Sequence, residues 1–84
     1  MKFIILTIFL NWSSVKYGSE AETKTLYLKA TQVTTIHGEE DYYHDKQNES
    51  PLYTACKVDI DGKPHYVFSS CSDLVEEVNK GLSK

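Results

Sequence analysis

The chain has 84 residues, with nine lysines and no arginine against twelve acidic residues, for a formal charge of −3. That length holds one small domain, near the size where a hydrophobic core alone is barely enough. An acidic chain without a basic stripe excludes nucleic-acid phosphate as the partner, and the lack of a basic amphipathic helix excludes a membrane-lytic peptide.

Met1-Lys2 is a short positive start, and residues 3–10, FIILTIFL, are almost wholly apolar. As a helix that run spans about 12 Å, against a hydrocarbon core of about 30 Å, so it does not insert as a membrane span. It reads as the apolar part of a signal peptide. Ser19-Glu20-Ala21 supplies a small-x-small site with cleavage after Ala21, and Ser14 or Gly18 are earlier alternatives. The competing reading of the run is a buried core strand. The domain organisation expected is therefore a signal peptide over 1–21 and a single small secreted domain over 22–84.

Residues 24–36, KTLYLKATQVTTI, are rich in alternating apolar and β-branched residues. They predict one long strand or two short ones, with the apolar face switching near Ala30 to Val33 through a bulge or twist. Residues 37–50, HGEEDYYHDKQNES, have no period and predict a mobile acidic loop. Three sites are candidates within it. Tyr42 and Tyr43 stand among Glu39, Glu40, Asp41 and Asp45, surroundings that favour tyrosine sulfation and binding to a basic partner surface. His37 and His44 with the carboxylates could ligate zinc, though nothing in the spacing fixes a geometry, and no metal site is expected. Asn48-Glu49-Ser50 is an N-glycosylation sequon, weakened by Pro51. A second sequon, Asn11-Trp12-Ser13, lies inside the expected leader.

Residues 53–60 and 66–70 read as two strands flanking the turn cluster Asp61-Gly62-Lys63-Pro64. The only cysteines are Cys56, in the first strand, and Cys71, just after the second, and a small secreted chain is expected to bridge them within one molecule. The alternative is a bridge between two copies. A loop of this length gains about 3 kcal/mol from the bridge. Facing Cys56 with Cys71 sets Val58 against Ser69 and Ile60 against Val67, and leaves a four-residue loop over 62–65. Asp-Gly by itself favours a tighter turn. Residues 72–84 then switch to helical spacing, with Leu74, Val75, Val78 and Leu82 on one stripe, Ser72 as cap and Gly81 as stop.

The expected fold is α+β: a small disulfide-stapled antiparallel sheet of two to three strands with one C-terminal helix. No nucleophile motif, phosphate loop or zinc-protease motif occurs, so neither an enzyme nor a cofactor is expected. The expected function is a secreted, monomeric binding protein or peptide effector whose partner is an extracellular receptor or protease with a basic surface. In size and leader it resembles short gland-secreted peptides of seminal fluid, saliva or venom. The alternative is a serine protease inhibitor offering Lys63 from the loop over 62–65. Residues 55–74 resemble the middle of a Kazal-type inhibitor domain in the order cysteine, Asp-Gly, tyrosine, cysteine, helix. Four of that family's six cysteines are missing here and the spacing is longer, so the resemblance carries over no reactive-site residue.

Overall fold

The computed structural model describes residues 3–42 and 53–82. In chain order the elements are β1 (Phe3–Phe9), a one-turn helix α1 (Trp12–Val15), β2 (Thr23–Lys29), a 3-10 turn (Ala30–Gln32), β3 (Val33–Tyr42), β4 (Tyr53–Ile60), β5 (Lys63–Val67) and α2 (Cys71–Leu82). The five strands form one antiparallel sheet in the order β2–β1–β5–β4–β3. The α+β class, the C-terminal helix and the Cys56–Cys71 bridge agree with the sequence reading.

The number of strands does not: the sheet has five, not two to three. The apolar run read as a leader forms β1, paired with β2 over its whole length and with β5 at Ile8–Val67 and Phe9–Tyr66. Residues apolar in both side-chain phases suit a strand covered on two faces. Here Ile4, Leu6 and Ile8 enter the core beneath α2, while Phe9 turns to the opposite face. The second gain comes from residues 24–36, which take the two-strand alternative, with a 3-10 turn and not a bulge or twist at the switch of face. Gln32 fixes that turn: its Oε1 accepts from the Lys29 N–H at 2.8 Å, and its Nε2 donates to Asp61 Oδ2 at 2.9 Å. The third difference is that β3 continues through His37 to Tyr42, so the first part of the expected loop is strand paired with β4.

The β4–β5 hairpin turns tightly. Ile60 pairs with Lys63, and Asp61 (φ 52°) with Gly62 (φ 80°) occupy the turn. Two consecutive positive φ values are what a two-residue turn matching strand twist requires. The four-residue loop over 62–65 is thus not formed, and Cys56 pairs with Val67 instead of Cys71. The bridge still closes because the chain leaves the sheet after Val67 and brings Cys71 back over Cys56 as the first residue of α2. The sulfurs are 2.10 Å apart and the Cα atoms 5.1 Å. Cys56, Val58, Ile60 and Val67 do share one apolar face, on which Leu74 of α2 is buried and Val78 packs. The helix is capped by Ser70, not Ser72: the Asp73 N–H donates to Ser70 Oγ at 3.2 Å. It also runs through Gly81 to Leu82.

The face away from α2 carries a second cluster. Phe9, Trp12, Val15 and Ala55 are buried there, with Tyr42, Tyr53 and Tyr66 packed around them. Phe9 stacks on Phe68 at 4.7 Å and meets Trp12 at 4.8 Å between centroids. Asn11 ties the entry of α1 to the start of β2, accepting from the Glu22 N–H and donating to the Glu20 carbonyl, both at 2.8 Å.

Candidate functional site

The acidic run Glu39-Glu40-Asp41 is largely taken up by the fold. Alternation along β3 sends successive side chains to opposite faces. Glu39 Oε1 accepts from the Cys71 N–H at 2.8 Å, placing a carboxylate at the positive end of the α2 dipole. Glu40 goes to the other face and meets Lys16 Nζ at 2.7 Å. The Lys16 ammonium, hydrogen-bonded to it, holds the Glu40 carboxyl below its usual range, and partial burial opposes the shift. The Trp12 indole adds a weaker pull in the same direction, yet its buried Nε1 makes no hydrogen bond of good geometry. Lys16 is raised in turn, chiefly by the bond to Glu40. Asp41 accepts from Thr54 Oγ1 at 2.9 Å.

Tyr42 is half-buried at the end of β3, its ring stacked 6.4 Å from Tyr53. Tyr43 and Asn48 lie outside the described residues, as does His44. His37 Nε2 sits 3.0 Å from Asp59 Oδ1 across the β3–β4 pair, and no cluster of three metal-ligating side chains forms among the described residues. Lys63 is exposed at the first position of β5, held in the ladder opposite Ile60. Both cysteines are consumed by their bridge. No helix among the described residues is long and apolar enough to cross a membrane.

Two features have no counterpart in the sequence reading. One is a row of exposed apolar side chains on the face away from α2: Ile5 (58 % exposed) lies directly across from Tyr27 (72 %), beside Phe3 (66 %). The other is an open cleft of about 250 Å³ where β1 runs on past the end of β5. Ile5, Leu6 and Thr7 line one side, Phe68 and Ser69 line the end, and the buried Leu74 with Asp73 and Glu77 of α2 line the other side. The available signal was the filling of both side-chain phases by apolar residues in this run, a pattern that a strand in a sheet can use as well as a leader can. Comparison with protein-family models, with curated proteins and with solved structures finds no match for this chain.

Proposed function

We propose that the chain is a small secreted, non-enzymatic binding protein that acts by protein–protein contact. The row of Phe3, Ile5 and Tyr27 carries this reading: contiguous apolar side chains left exposed on a small sheet mark a contact surface. The Cys56–Cys71 bridge supports an oxidising compartment, because such bridges persist there and are reduced in the cytosol. With both sulfurs bridged there is no thiol nucleophile. An inhibitor presenting Lys63 draws less support, because Lys63 is held in a strand pair and not in a projecting loop.

Removal of the N-terminal run as a leader and its use as β1 exclude one another in a single molecule. Cleavage after Ala21 would remove β1 and α1 entirely. Those elements supply Ile4, Leu6, Ile8, Phe9, Trp12 and Val15, six of the fourteen buried apolar residues among those described. At about 1.5–3 kcal/mol for each fully buried Ile, Leu, Phe or Val, their contribution rivals the whole net stability of a small domain, about 5–15 kcal/mol. This supports retention, as does the acidic Glu20 inside the cleavage motif. On this reading the run serves export while unfolded and then folds as β1.

The test is secretion of the full-length chain from a eukaryotic host, with intact mass taken on the protein in the medium. A retained N-terminus and a bridged pair are expected. The same spectrum reads sulfate on Tyr42 or Tyr43 and glycan on Asn48. Ile5→Ser with Tyr27→Ser should then abolish capture of partners from extracellular fluid. Protein found only inside the cell would overturn secretion, and unchanged capture by the double variant would overturn the contact surface.

A further inference from the structure

We infer that the cleft between β1 and α2 takes an extended peptide segment of a partner, added as a strand to the overhanging edge of β1 and carrying a basic side chain. This rests on the binding reading above and adds its site and ligand chemistry.

The backbone decides the first part. The Phe68 N–H donates to the Thr7 carbonyl at 2.7 Å, and the Leu10 N–H donates to Glu22 on the β2 side. Odd residues of β1 therefore aim their backbone groups away from β2. Phe9 and Thr7 meet the β5 chain, but β5 ends at Val67 and the chain then drops into α2. The amide and carbonyl of Ile5 consequently face the cleft with no ladder neighbour among the described residues. An unpaired strand edge is a template for another strand, and strand addition of this kind is an established mode of peptide recognition.

Side-chain chemistry decides the second part. A segment in this track would send alternate side chains to the two faces of the sheet. On the helix side it would pass over Leu6 and Leu74, with Asp73 and Glu77 one helical turn apart at the rim. A lysine or arginine fits there, with its stem on the leucines and its charge at the carboxylates. On the other side it meets Ile5 and Phe68, both exposed, which suit an apolar residue. The chain's net charge of −3 favours approach of such a segment.

The probe is a capped six-residue peptide of alternating valine and lysine, with glutamate replacing lysine in the control. Binding to the full-length protein is followed by chemical shift, and amide exchange is read at Ile5. The lysine peptide should bind and slow exchange of the Ile5 N–H, while the glutamate peptide should not bind. Glu77→Gln, at a partly exposed helix position that leaves the fold intact, should weaken binding on the order of tenfold. Raised salt should weaken it further. Absence of binding, binding of both peptides alike, or binding without protection of Ile5 would overturn the inference. If partner capture from extracellular fluid survives Glu77→Lys but is lost with Ile5→Ser and Tyr27→Ser, the cleft is discarded and the binding reading stands.

Discussion

The β4–β5–α2 unit and the β1–β2 arm are built on different terms. The first is closed three times over: by a tight Asp61-Gly62 turn, by the Gln32 side chain reaching Asp61, and by the Cys56–Cys71 bridge. The second has no covalent tie. It is held by Ile4, Leu6 and Ile8 under α2, by the Phe9–Trp12 cluster, and by the Asn11 side chain that spans its loop. It also leaves Phe3, Ile5 and Tyr27 exposed and an edge of β1 unpaired among the described residues. A small protein can thus concentrate its restraints in one half and leave the surface suited to contact in the other. Local opening should follow the same division, because segments with fewer buried contacts open at lower free energy.

The largest expected effect comes from the arm. Leu6→Ala should destabilise the protein by about 2–5 kcal/mol, the usual range for a buried Leu→Ala change. Denaturant unfolding measures it. Hydrogen exchange should show β2 amides accelerated more than those of β4 and β5. Equal acceleration everywhere would break the comparison and make the sheet one cooperative unit.

Next in size is the bridge. Replacing Cys56 and Cys71 with alanine should cost about 3 kcal/mol, since their separation of 15 residues closes a loop of that order. For a domain of this size that lowers Tm by roughly 12–24 °C. Exchange should now accelerate first in α2 and β5, the reverse of the Leu6→Ala pattern. Alkylation of the unreduced protein should label neither cysteine.

The smallest effect is the ion pair tying the arm to the neighbouring β3, Lys16 with Glu40. Both side chains are more than a third exposed, at 43 % and 36 %, so the pair is worth under about 1 kcal/mol. Because the folded Glu40 carboxyl titrates below its unfolded value, its contribution is present above the ordinary carboxylate range near pH 4.3 and is lost as pH falls through the lowered value. Lys16, titrating above its unfolded value, keeps its share below about pH 10.4 and loses it at higher pH. Glu40→Gln should remove that part of the acid-limb loss in a pH series of urea midpoints. A variant with an unchanged acid limb would show that this pair does not help hold the arm against β3.

The sequence by itself determined the parts set by near neighbours and by redox chemistry. The cluster Asp61-Gly62-Lys63-Pro64 marks the place of a turn, though not its length. The spacing of Leu74 and Val78 marks a helical stripe, and the alternation of Cys56, Val58 and Ile60 marks one buried strand face. Two cysteines in a small chain with an export-like start marked their own pairing. The tertiary structure decided everything that depended on who lies alongside. An apolar run of eight residues is equally good as a leader or as a central strand until β2 and β5 are seen on either side of it. Glu39, Glu40 and Asp41 read as solvated loop charges because their partners, the Cys71 N–H, Lys16 and Thr54, are distant in sequence or lie on another strand. The hairpin register could not be inferred from the bridge, because a disulfide fixes only the distance between two residues. It leaves open whether they face each other across a ladder or, as here, whether one has already left the sheet and begun a helix.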